Sequence, residues 1–187
     1  MYTFLKDKIL DEENREVMMD WETGLMQEHA KVVTENGGDI LEIGFGMGIC
    51  ANFIQQANIN THTIIEIHDE IFKHLLEWAK DKPNVIPIKG DWFDSIPKDK
   101  KYDGIMHDTW QEKNWDYFFT KIQTSLKFKG IITFYNSDSK ELTKINTHQF
   151  KECNLSVKEI KVNPPKNMNL QYYYKDTYCV PKLVYNY

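Results

Sequence analysis

The chain has 187 residues, 41% of them hydrophobic and 27% charged, which suits one soluble globular domain with its own core. Its net charge of −5 argues against gripping nucleic acid by neutralising many phosphates, and of its 23 basic residues only Arg15 is an arginine. Cys50, Cys153 and Cys179 show neither zinc-ligand spacing nor a disulfide framework, and no apolar run marks a signal peptide or a membrane span.

These properties predict a cytoplasmic protein, a monomer or a homodimer, with no bound metal, no nucleic acid and no membrane among its partners. The domain is expected to divide into an N-terminal lid segment over 1–36 and a core over 37–187. Lys98, Lys100 and Lys101 read as a solvated loop.

Residues 1 to about 15 are polar and acidic, and they predict a flexible or partner-dependent start. Met18, Trp21, Leu25 and Met26 then recur at helical spacing, predicting an amphipathic helix that runs to about Thr34. Glu22 fits that helix poorly, because an unpaired carboxylate among Trp21 and methionines is costly. Gly37 and Gly38 end the helix and turn into the first core strand.

From there strand and helix alternate. Strands are predicted near 39–44, 62–66, 85–89, 103–107 and 130–135, with helices at roughly 48–57, 69–80 and 113–126. Such alternation implies a parallel sheet with helices on both faces. Two more strands close the chain, one over 156–162 and one from 172 towards 185, separated by a breaker at 163–167. With no room for a helix between them, they should pair as an antiparallel hairpin.

The stretch Asp39-Ile40-Leu41-Glu42-Ile43-Gly44-Phe45-Gly46-Met47-Gly48-Ile49-Cys50 runs from an apolar strand through three alternate glycines into a helix start. Glycines there let backbone approach a ligand closely, and the helix N-terminus offers free N–H groups. The spacing is not the dinucleotide G-x-G-x-x-G. With Glu42 in front, it resembles motif I of class I S-adenosylmethionine-dependent methyltransferases. Five parallel strands plus a terminal hairpin also match that Rossmann-like α/β fold, with its mostly parallel seven-stranded sheet. Glu66 ends the next strand, where doubly wound folds place the residue that holds a ribose.

Ligands of open α/β sheets bind beyond the carboxyl ends of the strands. Trp92 is placed there to lie against an adenine ring, while His68 and His107 are candidate general bases. Asp108 follows an apolar strand and should project into the cleft, and Glu22 would reach it from the N-terminal segment. Two carboxylates in one dry pocket repel each other unless a cation lies between them. A guanidinium fits best, through paired N–H···O bonds. It is a poor nucleophile, so a carboxylate that accepts its proton as the C–N bond forms would make methylation feasible.

The blocks Met18-Met19-Asp20-Trp21-Glu22-Thr23, Leu41-Glu42-Ile43-Gly44-Phe45-Gly46-Met47, Ile64-Ile65-Glu66, Lys89-Gly90-Asp91-Trp92 and Tyr102-Asp103-Gly104-Ile105-Met106-His107-Asp108-Thr109 resemble the guanidinoacetate methyltransferase and arginine δ-N-methyltransferase family. The resemblance implies transfer of methyl from S-adenosylmethionine, with S-adenosylhomocysteine as product, to a guanidino group. It implies Glu22 and Asp108 as guanidino-binding carboxylates, with Asp108 the proton acceptor. Met18, Met26, Gly44, Phe45, Gly46, Met47, Gly48, Ile49, Glu66, Ile67, His68, Trp92, Phe93 and Asp108 fall on its cofactor positions. Ser137 and Asp138 fall where the family's backbone holds the substrate carboxylate.

Departures from the family pattern are the short acidic lead and Asn136-Ser137-Asp138. Three readings stay open: methylation of a small guanidino compound (guanidinoacetate, arginine or similar), methylation of arginine within a protein, and a cofactor-binding partner subunit without catalysis.

Overall fold

The computed structural model describes residues 2–109, 115–135, 153–164 and 176–186. The N-terminal lead is ordered as a three-stranded antiparallel sheet: β1 (Thr3–Phe4), β2 (Lys8–Leu10) and β3 (Glu16–Met19). This replaces the expected flexible start, and the reason is non-local. Ile9 is only 2% exposed and pairs with Met18 across the sheet, and the Phe4 ring stacks on His74 at 4.0 Å.

The helix expected from Met18 begins later. Pairing of Met18 and Met19 with β2 holds them in a strand, a 3-10 turn follows over Asp20–Glu22, and α1 spans Thr23–Val33. Leu25, Met26, Ala30 and Val33 form its buried stripe. The spacing that suggested one helix thus combines a strand, a tight turn and a helix.

The core strands are β4 (Asp39–Ile43), β5 (Thr61–Glu66), β6 (Val85–Lys89), β7 (Tyr102–His107), β8 (Leu126–Phe134), β9 (Cys153–Lys161) and β10 (Thr177–Tyr185). They form one seven-stranded sheet in the order β6-β5-β4-β7-β8-β10-β9. β4 to β8 pair in parallel, and β10 runs antiparallel to both β8 and β9. The terminal pair is the expected hairpin, with Thr177 opposite Lys161 and Tyr185 opposite Cys153. The connecting helices are α2 (Ile49–Ile54), α3 (Asp69–Ala79), α4 (Trp92–Ser95) and α5 (Trp115–Gln123). The short α4 was not foreseen.

Successive strand residues point to opposite faces, so each strand feeds two cores. Ile40, Met106 and Val180 pack with α1 and α2 on one face. Leu41, Ile43, Ile105 and Ile132 pack with Phe118, Phe119 and Ile122 of α5 on the other. Each fully buried aliphatic or aromatic side chain contributes roughly 1.5–3 kcal/mol, so the sheet is held firmly from both sides. Strand order reverses between β4 and β7, and a crevice opens beyond their carboxyl ends at such a switch point.

Candidate active site

A cavity of about 760 Å³ occupies that crevice. Its floor is the turn after β4. Gly44 has φ +89° and its α-carbon lies against the carbonyl oxygen of Asp108, where a Cβ would collide. Gly46, at φ +53°, is pressed in the same way against the sulfur of Met18. Only glycine fits both the left-handed backbone and the close approach. The Met18 Sδ also accepts the Met47 N–H at 3.2 Å, which seats β3 on the glycine turn.

Glu66 ties that turn to the next. Its Oε2 accepts the Phe45 N–H at 2.9 Å and its Oε1 accepts the His68 N–H at 2.8 Å. An ionised carboxylate has about four acceptor positions, so capacity remains for ligand hydroxyls. The Tyr2 hydroxyl lies 3.1 Å from the His68 ring nitrogens and closes this edge of the cavity.

On the far side, Asp91 caps α4 by accepting the Phe93 N–H at 2.9 Å. Trp92 lines the cavity and stands edge-on to Phe118 at 5.4 Å and to His107 at 5.9 Å. His107 is buried beneath it, with Nε2 3.3 Å from the Thr109 hydroxyl, and is not part of the lining.

The acids complete the site. Glu22, 3% exposed, is fixed by the Met19 N–H on Oε1 at 2.9 Å. Asp108 follows β7, and its N–H donates to the Ile43 carbonyl at 2.9 Å. Burial, reinforced by the negative charges of Glu42 and Glu66, pushes the Asp108 carboxyl up to about 7. Glu42 is also raised by burial, which the approach of His62 Nε2 to 2.9 Å from its Oε2 opposes. Gln55 Nε2 lies 3.2 Å from His62 Nδ1; as a donor there, it leaves the ring proton on the nitrogen facing Glu42.

Of the residues singled out from sequence, Met18, Glu22, Gly44, Phe45, Gly46, Glu66, Ile67, His68, Trp92 and Asp108 line the cavity. Gly48 is the left-handed cap of α2 and Ile49 its first residue, while Met26 and Met47 pack with the α1 core, all outside the lining. Phe93 also lies outside it, stacked on Tyr117 at 4.5 Å under Lys121 Nζ. Ser137 and Asp138 lie outside the described residues.

Sequence reasoning missed Tyr2, Asp11, Arg15, Cys50 and Tyr135, which also line the cavity. Tyr135 sits one residue beyond β8, at a strand end that the sequence placed beside the cleft without giving this residue a role; its phenol is pushed up by burial and by Glu22. Asp11 and Arg15 carried no such mark.

The family model described as guanidinoacetate N-methyltransferase matches residues 5–147. Among curated relatives, protein arginine N-methyltransferase 2 of Kluyveromyces lactis is 36% identical over 71% of this chain and 36% of its own length. The protein of the same name from Candida glabrata is 29% identical over 96% of this chain and 50% of its own. The chain therefore spans about a third to a half of these relatives' length.

Among solved structures, N-methyltransferase NodS from Bradyrhizobium japonicum in complex with S-adenosyl-l-homocysteine superposes with TM-score 0.67 at 9% identity, covering 88% of this chain and 87% of that one. TYW2 of M. jannaschii in complex with AdoMet gives 0.65 at 15%, covering 98% and 84%. These likenesses establish a Rossmann-like methyltransferase fold. With the family model matching most of its length, the chain belongs to the guanidinoacetate N-methyltransferase family.

Proposed function

We propose that the protein transfers a methyl group from S-adenosylmethionine to a guanidino nitrogen of a small molecule such as guanidinoacetate or arginine. The observation that carries this reading is that Glu22 and Asp108 line one cavity with the glycine turn and Glu66. In this reading 1–36 lids a single methyltransferase domain.

The residues fit the cofactor. Gly44 and Gly46 leave a cradle that a Cβ would fill, Glu66 offers acceptors for ribose hydroxyls, and Trp92 offers a ring face for adenine. The cofactor supplies an electrophilic methyl on a positively charged sulfur.

The remaining work belongs to the chain. Among the described residues, six carboxylates line the cavity: Asp11, Glu22, Glu42, Glu66, Asp91 and Asp108. They offset the repulsion of bringing a guanidinium beside a second cation. Glu22, already anchored to the Met19 N–H, orients the guanidinium. Asp108 accepts the N–H proton as the new C–N bond forms, so the nitrogen lone pair is freed for attack. Holding donor and acceptor in line lowers the rest of the barrier.

A second reading, methylation of arginine within a protein, is favoured by the names of the curated relatives. The two separate in one experiment. The purified protein is incubated with S-adenosylmethionine and a panel of guanidinoacetate, arginine, agmatine and arginine-containing peptides, and products are read by mass spectrometry. A one-methyl gain on a small compound, absent with Asp108→Asn, supports the first reading. Gain on peptides alone overturns it in favour of the second. Cofactor binding with no gain anywhere overturns both.

A further inference from the structure

We propose that His62, sealed behind the cavity wall, positions Glu42 to receive the ammonium at the amino-acid end of S-adenosylmethionine. This rests on the cofactor reading above and is independent of which acceptor is methylated.

Among the described residues, six acids line the cavity, and five of them have a task already. Asp11 grips Arg15 Nε at 2.6 Å, Asp91 caps α4, and Glu22 accepts the Met19 N–H. Glu66 accepts the N–H groups of Phe45 and His68, and Asp108 is the proposed proton acceptor. Glu42, only 1% exposed, is different. Side chains surround its carboxylate, with His62 Nε2 at 2.9 Å from Oε2 and the Cys50 thiol beside it.

The sheet brings acid and imidazole together. Ile40 lies opposite His62 and Glu42 opposite Ile64, so Glu42 and His62 are diagonal neighbours on one face of β4 and β5. His62 is fully buried there, with the Trp78 ring edge-on at 6.4 Å and Gln55 Nε2 at 3.2 Å from its Nδ1. With the amide donating to Nδ1, the ring proton sits on Nε2 and faces the acid. Gln55, His62 and Glu42 thus form a polar line from the end of α2 to the cavity.

That line is incomplete. Among the described residues, neither His62 Nε2 nor Glu42 Oε2 completes a directed hydrogen bond, although they face each other at 2.9 Å. Buried polar groups are costly in that state, and a network gains most when every member is satisfied. Glu42 also feels the charge of Glu66, and Asp108 feels the charge of both. A ligand cation on Glu42 relieves this repulsion and fixes the carboxylate against the His62 N–H. S-adenosylhomocysteine keeps the ammonium and lacks the sulfonium charge, so it isolates this contact.

The test is calorimetric binding of S-adenosylhomocysteine and of 5′-methylthioadenosine, which shares the nucleoside and thioether but has no amino-acid end. Wild type, H62M, H62Q, E42Q and the H62M/E42Q double variant are compared. H62M should weaken S-adenosylhomocysteine by about tenfold or more, the scale of a lost hydrogen bond to a charged group. Its binding of 5′-methylthioadenosine should be unchanged, which also checks that it is folded. H62Q keeps an amide N–H towards Glu42 and should recover part of the loss. In the E42Q background H62M should cost nothing further. In wild type labelled with nitrogen-15 histidine, the His62 ring resonances, assigned by their loss in H62Q, should move with S-adenosylhomocysteine and stay in place with 5′-methylthioadenosine.

Equal weakening of both ligands in H62M would make His62 a core support and overturn the proposal. A loss that persists in the E42Q background, or ring resonances that respond alike to both ligands, overturns it too. Should H62M fail to fold, the wild-type resonances decide the matter. Wild type that binds neither ligand refutes the cofactor reading and this proposal with it.

Discussion

The α-carbon of Gly44 rests against the carbonyl oxygen of Asp108, leaving no room for a side chain between the two strand tips. The contact is reinforced by the Asp108 N–H on the Ile43 carbonyl and the Gly44 N–H on the Ile65 carbonyl, each at 2.9 Å. The turn proposed to hold the cofactor and the acid proposed to take the proton are therefore one rigid unit. Gly44→Ala combines a left-handed alanine with a backbone clash, at a cost of at least about 2 kcal/mol. Denaturant unfolding should show that loss, and S-adenosylhomocysteine binding should fall with it.

Asp108 gives a pH-dependent signature. Burial pushes its folded carboxyl up to about 7 from an ordinary 3.8. Between about pH 4 and 7 the folded state keeps a proton that the unfolded chain has released, so this group's contribution to stability declines as pH rises through that window. Asp108→Asn removes the decline. Thermal melts at pH 8 should find the variant more stable than wild type, by on the order of 2–4 kcal/mol.

The same group sets the acid limb of activity. Under cofactor-limited conditions turnover should rise with pH through about 7, as Asp108 ionises in the empty cavity. With cofactor saturating, the positive sulfonium favours the carboxylate, and the limb should move to lower pH. A pH profile measured at low and at saturating S-adenosylmethionine checks both. An unmoved limb would count against a shared cavity.

Much of this site was legible because local pattern and position coincide there. A strand that runs into alternate glycines can bend only where left-handed backbone is allowed, and Asp108 follows an unbroken apolar strand. Glu66 ends the neighbouring strand, so its place at the cleft followed from topology. The N-terminal sheet was hidden because its strands are two to four residues long and Ile9 is buried only through a partner strand. Phe93 lies outside the lining for a related reason. A helix starting at Trp92 turns the next side chain away by about 100°, towards Tyr117 and away from the cavity. Arg15 carried no site signal in the sequence because its clamp, Asp11, is recognisable only once the turn has closed.

Glu22 separates charge from scaffold. Glu22→Gln keeps an oxygen to accept the Met19 N–H and loses the negative charge. The fold should persist by circular dichroism and S-adenosylhomocysteine binding should change little. Turnover of the guanidino acceptor should drop by roughly 10²-fold, since one partner of the guanidinium is neutralised. A variant that turns over normally would remove Glu22 from the site.

His29 should dominate the acid side of stability. It is fully buried between α1 and β8, with Nδ1 2.7 Å from the Thr133 hydroxyl, and burial lowers it to about 3. The unfolded chain protonates this histidine near its ordinary 6.5, so stability falls as pH drops from about 6.5 towards 3. The slope is about 1 kcal/mol per pH unit. Urea unfolding at pH 4, 5 and 6 should show wild type losing stability faster than His29→Gln.

The most direct test of guanidino methylation is transfer of a carbon-13-labelled methyl from S-adenosylmethionine, followed by NMR with guanidinoacetate or arginine present. Wild type should produce a new N-methyl resonance on the guanidino compound. Asp108→Asn should produce none, although it still binds S-adenosylhomocysteine. Label that stays on the cofactor, or a resonance that Asp108→Asn forms equally fast, would contradict it.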